Sequence, residues 1–381
     1  MRFSCVAGSL MSGLALLPTP LVAPPYRILV ASESGDVVTQ LTWDGSALAV
    51  AKTVPVGIMP AAIDGPHNVA AAPDGSAWYV TIAHGTPYGA LWRFAAGSDS
   101  LEGRAPAEMF PTTIALTPDG DLAFVANSDF HGDHPRVNVV TIVRTATMTP
   151  VTNLPACDMP HGVRVNHAGT RVYVSCMHSD EILEIDRQSL RISRRHPTGE
   201  GGGAAASHAA REGGAGDAGS GPPRHGASAP GLPRAAAGCS PTFVSVSIDD
   251  RHLYVACNHA NTLQVLDAAT LALVREIPVG AGAYNAEPSP DGRWVIVTNK
   301  KAQSVSLIDA RRLEEVARIP TTKPLPHGVA YAPDGSVAFV SAESVGADPG
   351  AVDVIALTSR ARIATIAVPR QPTGIAILVQ P

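Results

Sequence analysis

One short pattern returns along this chain about every 45 residues. A Pro or small residue opens a short apolar strand, a tight turn follows, and a second apolar strand runs back. The turns read APDG at 72–75, TPDG at 117–120, NHAG at 166–169, IDDR at 248–251, SPDG at 289–292 and APDG at 332–335. The strands after them read AWYVTI, LAFVAN, RVYVSC, HLYVAC, WVIVTN and VAFVSA. Asp-Gly between two apolar runs is hairpin chemistry. Aromatic residues make up 5% of the chain, so Val, Ile, Leu and Ala must fill the core. Val and Ile favour strands.

Four strand-length segments per repeat predict an all-β fold, a seven-bladed β-propeller of four-stranded blades. The residues that open the inner strands are Pro66, Pro111, Pro160, Pro241, Ala283, Pro326 and Pro372. Proline suits a first strand position, where no ladder donor is needed. The last opening, PTGIAIL at 372–378, has no second strand after it, and the first strand, YRILVAS at 26–32, has no inner strand before it. Both ends are therefore expected to build one shared blade, which leaves no free sheet edge. The propeller is placed at 26–381. A Gly-, Ala- and Pro-rich insert at 199–238 interrupts it and is expected to be a disordered loop. The third strands end EILEID, TLQVLD and SVSLID, so Asp186, Asp267 and Asp309 are expected to cap the following turns.

Residues 1–25 carry one Arg before an apolar stretch from Cys5 to Leu17. That segment reads as a secretory signal peptide, so a periplasmic or secreted location is expected. No later segment is long and apolar enough to span a bilayer. A net charge of −5 with no basic run argues against nucleic acid as a partner. A monomer is expected.

The strings AWYVTI, RVYVSC, WVIVTN and VAFVSA, each after a PDG-like turn, resemble the YVTN-type β-propeller repeat family, a WD40-like architecture. The resemblance covers 26–381 apart from the insert. It implies the propeller fold, within a class that also resembles surface-layer proteins, lactonases, haem d1 domains and copper-site propellers. The PHN and PHG openings are similar to virginiamycin B lyase-like propellers, whose tryptophan-rich strands are matched only at Trp78. No Cys-x-x-Cys-His motif for covalent haem attachment occurs.

Strands alternate in direction, so the inner-strand openings and the turns after the second strands share one face. The residue after each opener, from blade one to blade seven, is Thr373, His67, Thr112, His161, Thr242, Tyr284 and His327. His67, His161 and His327 are spread almost evenly round the ring, as three imidazole ligands to copper or zinc would be. After the second strands, His84, His178 and His259 share a register, and blade three carries Asp129, His131, Asp133 and His134 there. Eight of the 13 His thus fall on one predicted face. Imidazole is the commonest metal ligand and an acid–base group near neutral pH. The competing reading is local: Pro-His-Gly fills a loop and bonds neighbouring backbone.

Cys157, Cys176, Cys239 and Cys257 lie on the same face of blades four and five. In an exported protein they suggest disulfides, with the pairing open. Their rival is a thiolate–imidazole metal site of Cys176, His178, Cys257 and His259. Arg164 and Glu287 share a register inside inner strands four and six, where, with Tyr284, they are candidates to hold a cofactor or polar substrate or to pair locally. No Gly-x-Ser-x-Gly and no phosphate-binding loop occurs. The leading expectation is an exported propeller that binds a metal ion or small ligand at the His-rich face, with redox chemistry in view. The alternatives are a protein-interaction scaffold and a lactonase-like or lyase-like enzyme using His with Arg164, Glu287 and Glu343.

Overall fold

The computed structural model describes residues 26–57, 63–84, 89–128, 137–199 and 238–379. Their strands form seven four-stranded antiparallel sheets, one to each sequence repeat. In blade two, Pro66–Ala71, Ala77–Ile82, Ala90–Ala95 and Leu101–Pro106 lie side by side from the axis outward. Each inner strand packs on that of the following blade, and Pro326–Tyr331 of blade seven packs on Pro372–Val379 of blade one. The ring is closed, and the fold is a seven-bladed β-propeller. Blade one takes its inner strand from the C-terminal segment, which pairs with Tyr26–Ser32 in the register Ile28↔Ile377. Val37–Trp43 and Leu48–Pro55 complete it. The insert, the segment 1–25, and Asp129, His131, Asp133 and His134 lie outside the described residues, save Gly199 and Gly238 at the insert's two ends.

The second strands are covered on both faces by neighbouring blades, which is why they read as unbroken apolar runs. Every residue of Ala77–Ile82, Leu122–Asn127 and Val337–Ala342 is buried. Trp78, Phe124, Phe243 and Phe339 are fully buried between sheets. Each such aromatic contributes about 1.5–3 kcal/mol. The outer strand Arg191–Pro197 alternates exposed and half-buried positions instead. Asp186, Asp267 and Asp309 accept backbone N–H groups of the turns that follow them.

Two devices repeat at the upper end of each inner strand. The residue before the opener is left-handed in every blade: Gly65 (φ 64°), Phe110 (45°), Met159 (61°), Ser240 (47°), Gly282 (73°), Leu325 (57°) and Gln371 (53°). Its carbonyl accepts the N–H of the residue just after the second strand, which is Ala83, Ser128, Met177, Asn258, Lys300, Glu343 and Glu33 respectively. Those bonds set seven side chains round the upper rim. The second device is a bulge. Between Pro66 and Val69, and at the matching place in the other blades, the inner strand slips against its neighbour. A bulge re-aims a side chain, and here it turns the residue after the opener into the channel.

Blades one and two are clasped by Asp99. Its carboxylate accepts from Gln40 Nε2 (2.7 Å) and Trp78 Nε1 (2.9 Å). Lys52 Nζ lies at 3.0 Å and an Arg27 guanidinium nitrogen at 3.6 Å. Arg27, Gln40 and Lys52 belong to the blade that holds both chain ends.

Candidate functional site

The residues after the openers form a hydrogen-bonded belt that narrows the channel to a throat. Five of the seven side chains reach the backbone carbonyl of their counterpart in the next blade. Thr373 Oγ1 donates to the His67 carbonyl (2.6 Å), and His67 Nδ1 to that of Thr112 (2.7 Å). Thr112 donates to His161 (3.1 Å), His161 Nδ1 to Thr242 (2.7 Å), and Thr242 to Tyr284 (2.6 Å). A carbonyl only accepts, so Nδ1 of His67 and of His161 carries the proton. Packing explains the Gly of Pro-His-Gly: a Cβ on Gly162 would lie 2.8 Å from Phe243 Cα of the next inner strand. The belt opens at blades six and seven, where the Tyr284 hydroxyl turns to His161 Nε2 and the His327 carbonyl is taken by Thr298 Oγ1 (3.2 Å). There Ser341 Oγ takes the Thr373 carbonyl (2.7 Å), and buried His327 Nδ1 has no partner among the described residues.

His67, His161 and His327 converge in this throat, with ring centroids 6.4 Å and 5.5 Å from His67 to the other two. Tyr284 completes it and donates its hydroxyl to His161 Nε2 (3.0 Å). Burial, the neighbouring His67 and Lys300 together hold the His161 imidazole down at about 3, against the opposing bond to Thr242. Burial and then Lys300 hold His327 well below its ordinary range. Burial, with Glu343 and Glu33, raises the Tyr284 phenol well above its own. His161, His327 and Tyr284 are therefore neutral at pH 7. Among the described residues no group of three or more His, Cys, Asp or Glu side chains is placed to hold a metal ion.

Charge gathers one layer above, at the rim. Glu33 stands between two imidazoles, with Oε1 3.0 Å from His84 Nε2 and Oε2 3.7 Å from His67 Nε2. Burial pushes its carboxyl up, but the hydrogen bond to His84 and the charges of His67, His84 and Lys300 bring it below the usual range. Phe110 packs edge-on against both imidazoles. Lys300 Nζ bonds Glu343 (2.7 Å) and sits 3.9 Å above the Tyr284 ring. Glu33 and Lys300 are not among the sequence candidates, since neither is a histidine. They occupy the position just before the register of His84, immediately after the second strand.

The other sequence candidates separate. His178 and His259 are exposed, and the nearest carboxylate to His178, Asp158, is 4.0 Å away. Cys157 pairs with Cys176 and Cys239 with Cys257, each disulfide tying the entry of an inner strand to the end of its second strand. The thiolate–imidazole alternative fails on this point, since all four sulfurs are bonded to each other. Arg164 and Glu287 are not on the rim with Glu343. They lie below the throat and pair across the channel at 2.8 Å.

Comparison with known proteins adds the following. The model of the cytochrome D1 heme domain matches residues 239–343, which span blades five and six and part of seven. No curated protein sequence matches the chain. Hydrazine synthase of Kuenenia stuttgartiensis is similar in structure, with TM-score 0.61 at 16% identity over 84% of this chain and 93% of that one. A functionally unknown protein from Desulfotomaculum acetoxidans gives TM-score 0.69 at 12% identity over 93% and 99%. A Bacteroides uniformis protein provisionally assigned as a 6-phosphogluconolactonase gives 0.68 at 11% over 93% and 100%. At these identities the likeness is one of fold: the class is the seven-bladed β-propeller. The matched segment holds Tyr284, Lys300, His327 and Glu343 but none of Glu33, His67, His84 or His161. In the throat His161 Nδ1 is held by the Thr242 carbonyl and its Nε2 by the Tyr284 hydroxyl, so that imidazole has no nitrogen left for a haem iron.

Proposed function

We propose that this chain is an exported propeller that binds a small polar ligand at the upper mouth of its channel. Glu33, His67 and His84 recognise the ligand, and Lys300, Tyr284 and Phe110 border it. One observation carries the reading: a buried carboxylate, held ionised, stands between two imidazoles directly above the neutral side chains of His161, His327 and Tyr284. A group ionised in low dielectric is an acceptor for a ligand's donor or positive charge. Imidazole is the most frequent general acid–base group of enzymes, which opens the same mouth to acid–base chemistry. Two disulfides favour an oxidising compartment and hence export. No described helix is long and apolar enough to cross a membrane.

Copper or zinc is the second reading. It is favoured by His67, whose Nδ1–H is anchored on a backbone carbonyl, as ligating histidines usually are. His67 and His84 would be its imidazole donors, with solvent completing the coordination.

The test is a thermal-shift screen of lactones, organic acids, amines, zinc, copper and haem. A ligand at about 100 times its Kd stabilises by about 2.7 kcal/mol. At least one panel member is expected to raise the midpoint of the wild type and to lose that effect in Glu33→Gln and His84→Ala. Hits that survive both substitutions, or no hit at all, would overturn the reading.

A further inference from the structure

Below the throat the channel widens into a cavity of about 490 Å³, open at the lower face. We propose that this cavity is a second binding site, separate from the upper mouth, and that it takes an α-amino acid with an apolar side chain.

Its polar wall is one ion pair. Arg164 and Glu287 meet across the channel at 2.8 Å, and about a quarter of each side chain is exposed. The Arg164 guanidinium is also stacked 4.6 Å from the Phe243 ring, which fixes its plane. A free anion drawn to Arg164 meets Glu287 beside it, and a free cation meets the reverse. A ligand with both charged groups on one carbon gains at both ends. The short span of the pair selects the closely spaced ammonium and carboxylate of an α-amino acid.

Two buried polar atoms at this cavity lack partners among the described residues. Asn285 Oδ1 and His327 Nδ1 belong to cavity-lining side chains with relative exposures of 4% and 2%. Such groups are normally satisfied. Asn285 stands two residues before Glu287 on the same inner strand, and with its amide turned over its oxygen would become an acceptor for the ammonium near the carboxylate. The remaining wall joins Asn68 and exposed backbone to apolar side chains, Val69, Ile114, Val329 and Ile375 among them. It suits an aliphatic or aromatic side chain, and the volume lies in the range of small-ligand pockets.

The experiment is isothermal titration calorimetry of the disulfide-bonded protein with L-leucine and L-phenylalanine. Glycine, phenylacetate and phenethylamine are the controls for the side chain, the carboxylate and the amine. Saturable binding of leucine or phenylalanine is expected, with each control weaker by about tenfold or more, the worth of one charge-assisted contact. Arg164→Gln and Glu287→Gln should weaken it by a similar factor. Ala71→Trp fills the lower mouth without touching either charge and should abolish binding, which keeps the test open if a charge variant misfolds. Three results would overturn the proposal: no saturable binding of either amino acid, phenylacetate binding as tightly as phenylalanine, or unchanged affinity in folded Ala71→Trp.

Discussion

Replacing Asp99 with Ala should loosen the blade that closes the ring. The Asp99 carboxylate is 4% exposed and serves blades one and two together. Its loss strands two donors, Gln40 Nε2 and Trp78 Nε1, each of which costs about 1–3 kcal/mol when buried unpaired. Lys52 is half exposed, so its share is about 0–1 kcal/mol. The sum is about 2–7 kcal/mol. Urea denaturation followed by tryptophan fluorescence would show it as a lower midpoint at unchanged slope. Asp99→Asn keeps an acceptor and should lose about half as much. The pH dependence has a definite sign. Burial pushes the Asp99 carboxyl up, but the bonds from Lys52, Gln40 and Trp78 outweigh it and hold it below its ordinary value. The unfolded chain therefore takes up the proton first. The stabilisation is complete above the unfolded value of about 3.9 and is lost as pH falls through the lower folded value. The gap between wild type and Asp99→Ala should narrow correspondingly. A gap within about 0.5 kcal/mol at pH 7, the range of an ordinary surface change, would refute the clasp.

Further outcomes follow from the throat and the disulfides. His161 and His327 should stay neutral in histidine-detected NMR well below pH 6.5, His161 down to about 3, while the unfolded chain protonates at 6.5. Both groups therefore make the fold less stable on acidification across that window, and a protein equally stable at pH 4 and pH 7 would contradict this. Tyr284→Phe leaves His161 Nε2 without its donor and should cost about 1–3 kcal/mol by denaturation. Replacing Cys157 and Cys176 by Ser opens a loop with a sequence separation of 19 and should cost about 3 kcal/mol in the same assay.

The blades were legible because each repeat carries its own local chemistry: a Pro opening, an Asp-Gly turn, and an apolar run where both faces are covered. Closure by the two chain ends followed from counting strands. The left-handed residue ahead of each inner strand was not legible, since Phe110, Met159 and Leu325 are not residues that announce that conformation. Nor was the bulge, on which the inward aim of His67, His161 and His327 depends. In the site, histidine drew the register one position too far along. His178 and His259 point to solvent, while Glu33 and Lys300, one position earlier in the repeat, are held at the rim by backbone bonds. Arg164 and Glu287 meet across 123 residues of sequence, and register alone did not say whether they pair with each other or with neighbours.

The most direct measurement is a histidine-detected NMR titration of the intact protein with any ligand that raises its melting point. The account predicts that the His67 and His84 signals move with saturation while those of exposed His178 and His259 stay, and that Glu33→Gln abolishes the movement. Shifts confined to His178 or His259, or a ligand that stabilises the protein and leaves His67 and His84 unmoved, would contradict it.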